Sequence, residues 1–407
     1  MPAIGLPERE HKDGSRHWHT LPERKNVLVV AHTIPYGKRL RDVIHLLAPD
    51  LRLHVHFAAP PHEFGDGVTR FLRRLGGSVM PWRDVIRTPF DLALAAGPRD
   101  MGEIQAPVIT IPHGANYLKR ISGTADLRVP GLSREDIVLG EGSLPAAVVL
   151  PHRDDRAQLA RSCPEALPVA TVIGDPVHDR ITASLPLRDL YREALGLREG
   201  QKLLAAVSTW GPLSSFGKIE ALLPRLLGEL DGDDIRAAIL VHPNVWSRYG
   251  AWQMHSWLAR CAERGIAVLP PEADWRTVLI AADWIIGDHG SVTLYGTLTP
   301  APILLDASPR QEMNPESPAA TLALTAPALS PTHPLRDQLH YAEAEYRRQD
   351  YVAIASRITS EPGRFNENMR HLLYRVLGLG RPAFPAPTHQ LPPPAPLDAW
   401  IRRETPA

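Results

Sequence analysis

Four histidines stand just beyond short apolar runs: His32 after VLVVA, His113 after VITIP, His242 after AAILV and His289 after WIIGD. An unperturbed imidazole titrates near pH 6.5, so at neutral pH it can take a proton from a hydroxyl or donate a hydrogen bond to an anion. One histidine beyond a strand is more often structural than functional. Four at equivalent positions point to a shared cleft, because ligands of doubly wound sheets lie beyond the carboxyl ends of the strands. His113 belongs to the segment PHGAN, in which Gly114 admits close approach of backbone to ligand and Asn116 lies at the same cleft edge.

A second chemistry is anion binding. The segment from Gly287 through Asp288, His289, Gly290 and Ser291 to Thr293 joins an apolar run to a helical pattern, and a helix start offers free amides to a phosphate. With the Ser291 and Thr293 hydroxyls added, it suits a diphosphate; a plain Asp or Ser cap is the alternative. The segment STWGPLSSFGK offers Ser208 and Thr209 as donors, Gly211 in the bend, and Lys218 as a cation for phosphate or base. A flexible surface turn is its alternative. Neither segment carries GxxxxGK[ST] or GxGxxG. HExxH, paired CxxC and carboxylate-rich patterns are absent, as is a GxSxG elbow, so the sequence supports neither a metal site nor a serine hydrolase.

Alternating apolar runs and helical stretches must hold these residues. Val27 to Ala31, LRLHVHFAA, DLALAAG, PVITIPHG, DIVLGEG and AAVVLP read as the strands of a first half, with helical patterns such as Lys38 to Leu47 and GVTRFLRRLGG between them. From Lys202 the grammar repeats: LLAAVSTWG, AAILVHP, IAVLPP, DWIIGD and APILLD alternate with helices that include Ser291 to Leu298. This predicts an α/β chain of two Rossmann-like, doubly wound domains facing a central cleft. A length of 407 residues suits two cores.

The predicted division is an N-terminal extension (1–24), a first Rossmann-like domain (25–175), a second (176–330), C-terminal helices packing back across the domains (331–380), and a tail (381–407) whose prolines place it outside any core. Apolar residues make up 44% and charged residues 22%, with no net formal charge, so no global field gathers nucleic acid. No run approaches the roughly 18 apolar residues of a membrane span. Peripheral membrane contact and oligomeric state stay open. The polar N-terminus and only two cysteines, Cys163 and Cys261, lead us to expect a cytoplasmic protein.

With PHG late in the first half, HP after a strand in the second, and an apolar strand ending in D-x-x-S before a helix, the chain resembles the CDP-glycerol glycerophosphotransferases. These belong to a wider GT-B group of nucleotide-sugar transferases and epimerases. The resemblance spans residues 25 to 310 and implies a GT-B fold with an acceptor domain first and a nucleotide-donor domain second. It implies His113 as general base, His242 as a ligand of the donor phosphate, and Ser291 on the diphosphate. Gly290 stands where the family has the first Ser of a pair. Gly174-Asp175-Pro176 matches a late first-domain segment and implies a hinge with ligand-facing backbone.

The implied function is a metal-independent transferase that moves a glycerophosphate, polyol-phosphate or sugar group from a CDP- or UDP-linked donor to an acceptor hydroxyl. The nucleotide-diphosphate is substrate, and no resident cofactor is expected. A nucleotide-sugar 2-epimerase or hydrolase, and a non-catalytic nucleotide-binding scaffold, are the alternatives.

Overall fold

The computed structural model describes residues 24–401 apart from 98, 116, 121–128, 231, 233, 307, 308 and 310. The expected extension therefore lies almost wholly outside the described residues, as does Asn116.

Runs of Val, Leu, Ile and Ala too apolar to face water on either side become central parallel strands. In the first half these are β1 (Lys25–Val30), β2 (Leu53–Ala58), β3 (Val79–Met80), β4 (Leu92–Ala95), β5 (Val108–Thr110), β6 (Ala147–Leu150) and β7 (Ala170–Val172). They form one parallel sheet in the order β3-β2-β1-β4-β5-β6-β7. The second half supplies β8 (Lys202–Ser208), β9 (Ile235–Val241), β10 (Ala267–Val268), β11 (Trp284–Gly287) and β12 (Ile303–Leu305). Their order, β10-β9-β8-β11-β12, is again all parallel. Both sheets reverse winding direction beside their first strand, between β1 and β4 and between β8 and β11. At such a switch point neighbouring loops diverge and leave a crevice.

Two expectations need correction. DIVLGEG is not a strand: the helix Arg134–Ile137 ends inside it, and a 3-10 turn, Gly140–Gly142, follows. Nor does the proline-rich tail stay outside the core. Leu391, Leu397 and Trp400 are buried in the cluster that contains β8 and β11 residues, and the short helix Leu397–Ile401 lies against β10. The prolines remove helix and sheet from most of the tail, but apolar side chains between them still bury surface, and backbone groups find partners. The Leu391 amide donates to Ser184 Oγ (2.9 Å), its carbonyl accepts from Tyr191 OH (2.7 Å), and the Leu397 amide donates to the Leu195 carbonyl (3.1 Å). The amphipathic helix Phe365–Val376 packs into the first sheet's core through Phe365, Met369, Leu372 and Leu373. The chain thus returns to the first domain after completing the second.

Candidate active site

The helix Ile34–Ile44 begins on a Thr33 cap with Pro35 in its first turn, and it carries the contact between the two halves. Arg39 Nη1 donates to Asp175 Oδ2 (3.1 Å), and its Nη2 donates to the Gly114 carbonyl (2.9 Å) and to Tyr295 OH (3.1 Å). Tyr295 OH donates in turn to Asp175 Oδ2 (2.8 Å). Burial alone would lower the Arg39 pKa, but Asp175 and then Tyr295 outweigh it and raise it. One helical turn on, Asp42 accepts from Arg180 (2.6 Å) and Arg276 (2.7 Å), and Arg276 and Arg41 both reach Asp274. Opposite charges on the two halves are therefore paired out of water, which fixes how the cleft walls face each other.

Gly174 and Asp175 consequently do not face a ligand. Asp175 is fully buried, with Oδ1 capping the helix Pro176–Ser184 through the His178 amide (2.8 Å), and a Cβ on Gly174 would meet Glu361. His32 is also behind the wall rather than on it. It is buried, its Nε2 lies 3.2 Å from Asp100 Oδ2, and its ring packs edge-on against Tyr36.

On the donor side, Asp288 organises the loop that Ser208 and Thr209 begin. Its Oδ2 accepts from the amides of Thr209 (2.8 Å) and Ser215 (3.0 Å) and from Ser208 Oγ (3.3 Å), while Oδ1 accepts from the Gly290 amide (2.9 Å). Ser208 Oγ also accepts from the Phe216 amide (2.8 Å). Asp288 and Ser208 are therefore engaged in building the loop. Gly211, with φ +107°, supplies the bend that the loop requires. Thr293 Oγ1 is buried without a hydrogen-bond partner against Gly287, where a Cβ would collide with it. It does not reach the cleft. The helix Ser291–Gly296 has six residues, too short to sum much of a dipole, so the diphosphate expectation loses that support. His289 is buried too; its Nε2 lies 3.4 Å from Glu312, and burial, then Lys119 and Lys218, push its pKa down to about 4.

His113, Gly114, His242 and Ser291 do meet at the cleft. A Cβ on Gly114 would lie 2.8 Å from Ser291 Oγ, so the PHGAN loop packs against the second domain at Ser291. His113 is exposed to water in the cleft yet crowded by its walls. That crowding, followed by the charges of Arg39 and Lys119, pushes its pKa down to about 4. His242 caps the helix Pro243–Trp257, its Nδ1 accepting the Asn244 amide (3.1 Å). The proton of the neutral ring must therefore sit on Nε2. Burial, then His113, Lys119 and Lys38, push its pKa down to about 3, so the two imidazoles are electrostatic neighbours across the cleft and neutral at pH 7.

Sequence reasoning missed the cations and rings that complete this site. Lys119 Nζ stands 5.1 Å from the centre of the Trp210 ring and acts on His113, His242 and His289. Lys38 Nζ donates to the Ala273 carbonyl (2.7 Å), and burial pushes its pKa down to about 8. An aromatic chain runs round the rim: His113 to Tyr36 (4.8 Å between centroids), His62 to Phe64 (5.8 Å), Phe64 to Trp210 (5.4 Å) and Trp210 to His242 (6.4 Å). The available signals were weak: Lys119 lies in the same loop as His113, Trp210 in the Ser208 loop, and Tyr36 and Lys38 in the helix that follows β1. Among the described residues, no group of three or more His, Cys, Asp or Glu is arranged to hold a metal ion, and no helix is long and apolar enough to cross a membrane.

No family model matches the chain, and no curated protein matches its sequence. Solved structures do match. The wall teichoic acid polymerase TagF is similar with a TM-score of 0.60 at 15% identity, over 87% of this chain and 89% of that one. The MnaA–UDP co-structure from S. aureus gives a TM-score of 0.52 at 12% identity, over 88% of this chain and 99% of that one. Two parallel sheets of seven and five strands, each wound from a switch point facing the same cleft, complete the likeness: the chain has the GT-B fold.

Proposed function

We propose that the chain is a metal-independent GT-B transferase that moves a glycerophosphate, polyol-phosphate or sugar group from a nucleotide-diphosphate donor to an acceptor hydroxyl. The observation that carries this reading is the meeting of the His113–Gly114 loop of the first domain with Ser291 of the second, beside His242 and Lys119, which both stand against the Trp210 ring. A general base must reach the hydroxyl it deprotonates, and His113 is exposed in the cleft beside Gly114. An anion needs donors fixed before charge develops, and His242 Nε2–H, Lys119 and Lys38 provide them. TagF has been soaked with CDPG and MnaA solved with UDP, which supports a nucleotide-linked donor here.

In the reaction, the acceptor hydroxyl gives its proton to the free nitrogen of His113 as its oxygen attacks the donor, at phosphorus or at a sugar carbon. The bond to the nucleotide breaks, and the electron pair leaves with the nucleotide phosphate, where the two lysines and His242 meet its charge. Ser291, beside Gly114, lies where the two substrates would abut.

Thermal-shift measurements against CDP, UDP, GDP and dTDP compounds test the donor, since a ligand stabilises the native state by RT ln(1 + [L]/Kd). A flat response to all four sinks the reading. With a donor and acceptor in hand, His113→Ala should cut transfer about 10²–10⁴-fold, the usual worth of a general base; retained activity would remove His113 from the role. Turnover of a UDP-sugar without any acceptor would identify an epimerase or hydrolase instead.

A further inference from the structure

A histidine that moves protons is usually held in one orientation by a hydrogen bond to its second ring nitrogen. His242 has such a bond, its Nδ1 accepting the Asn244 amide (3.1 Å). His113 has none: among the described residues no carboxylate, carbonyl or hydroxyl holds either of its nitrogens. What lies against it is a ring. The Tyr36 and His113 centroids are 4.8 Å apart with their planes 31° from parallel, a tilted stack rather than an edge contact.

Tyr36 is itself placed by its neighbours. Its amide donates to the capping Thr33 Oγ1 (3.4 Å) in the first turn of the helix Ile34–Ile44. A Cβ on Gly97 would lie 3.0 Å from Tyr36 Cε2, so the ring packs against that stretch of backbone. His32 stands edge-on at 5.8 Å, with its own Nε2 3.2 Å from Asp100 Oδ2. The half-buried Tyr36 ring is thus walled by these contacts, and it meets the exposed imidazole of His113 in the cleft.

The electrostatics give the stack a second role. An aromatic face carries partial negative charge and attracts a cation within about 6 Å of its centre. When His113 takes a proton it becomes that cation. Its other surroundings oppose the change: crowding by the cleft walls, then the charges of Arg39 and Lys119, disfavour the imidazolium, and His242 stands opposite. Arg99 and Asp136 act on the Tyr36 hydroxyl rather than on His113.

We infer that Tyr36 is a positioning residue for His113: its ring sets the plane of the imidazole, and its negative face steadies the imidazolium formed when His113 takes the acceptor's proton. This rests on His113 as the general base proposed above. The proton passes from the acceptor oxygen to the free imidazole nitrogen, and Tyr36 neither gives nor receives one. The work is done by the ring face, not by the phenol hydroxyl.

The test is an NMR titration of the His113 ring in the full chain, without donor or acceptor, with His113→Gln identifying its signal among the 18 histidines. Tyr36→Leu keeps an apolar cover but removes the π face, so the titration midpoint should fall by about half a pH unit. Tyr36→Phe keeps the face and should leave the midpoint in place. Pentafluorophenylalanine at position 36 keeps the shape but strips the negative charge from the face, so it should lower the midpoint as leucine does. That comparison decides the matter even if Tyr36→Leu fails to fold. With a donor and acceptor, Tyr36→Leu should lower kcat on the order of tenfold while KM for the donor holds, and Tyr36→Phe should keep the wild-type kcat. A midpoint unmoved by pentafluorophenylalanine, a Phe variant that behaves like the Leu variant, or wild-type kcat in a folded Tyr36→Leu would overturn the inference. The titration needs no turnover, so the stack can fail while the transferase reading stands, and that reading can fail on His113→Ala while the stack is measured.

Discussion

Asp175 and Asp288 are both buried aspartates following apolar segments, yet they are neutralised in different currencies of interaction. Asp175 meets a formal cation, Arg39, with a tyrosine hydroxyl and one amide. Asp288 meets three amides and a hydroxyl. Burial consequently raises the Asp288 pKa, with the amides and Lys119 opposing it. The first aspartate joins two domains; the second joins two loops of one domain. A strand-end acid can thus be a clamp between halves or the keystone of a loop, and neither use requires a ligand.

The largest expected effect comes from breaking the clamp. Asp175→Ala strands Arg39 in the interface without a counter-charge, which should cost about 3–5 kcal/mol of stability in urea unfolding. A loss below about 1 kcal/mol would show that water or another acid satisfies Arg39, and the contrast between the two sites would fail.

Asp288→Ala should cost less, about 1–3 kcal/mol, because the stranded groups are neutral amides that the loop can turn toward water, and a costly buried charge disappears. Its signature is local: hydrogen exchange at the Thr209, Ser215 and Gly290 amides should accelerate before the rest of the second domain responds. Uniform acceleration throughout the chain would show that Asp288 supports the global fold instead.

The response to pH sharpens the contrast between acids facing arginines and those facing amides. Although burial opposes it, Arg276 and then Arg41 hold Asp274 well below the usual carboxylate range. Its stabilisation is present above the unfolded pKa of about 3.9 and is lost as pH falls through the depressed folded value. Asp288 is shifted upward, so its contribution is full below about pH 3.9 and is lost as pH rises through the folded value. The stability gap between wild type and Asp274→Asn should therefore widen from acid to neutral pH, while that for Asp288→Asn narrows. Parallel trends in the two series would refute the assignment.

The same distinction explains what the sequence could and could not convey. Strand-and-helix alternation was legible because a strand buried on both faces must be continuously apolar, and the two switch points follow from strand order. His113 and His242 were legible as strand-end histidines. The use of Asp288 was not: an acid before a Ser-containing helix start reads alike whether its oxygens meet a ligand or its own loop. Lys119, Lys38 and Trp210 were hidden because they reach the cleft from loops and helix flanks, where no periodicity marks a residue as facing inward. The tail misled because proline content reports missing backbone donors, whereas Leu391, Leu397 and Trp400 bury their side chains regardless.

Thr293 provides the smallest effect and the finest test of the donor wall. Its hydroxyl is buried without a hydrogen-bond partner, so it incurs a desolvation cost with nothing to offset it. Thr293→Val replaces that oxygen by a methyl group of similar shape and should leave stability within about 1 kcal/mol of wild type, or raise it. Ser291→Ala, by contrast, removes a hydroxyl that touches Gly114 at the meeting of the domains. If Ser291 contributes to donor binding, its loss should weaken the thermal shift produced by a preferred nucleotide, whereas Thr293→Val should leave that shift unchanged. A nucleotide shift lost in the Val variant but kept in the Ala variant would invert the wall. The hydroxyl that reaches the donor would then be the one directed at Gly287, and the helix start would have to turn on binding.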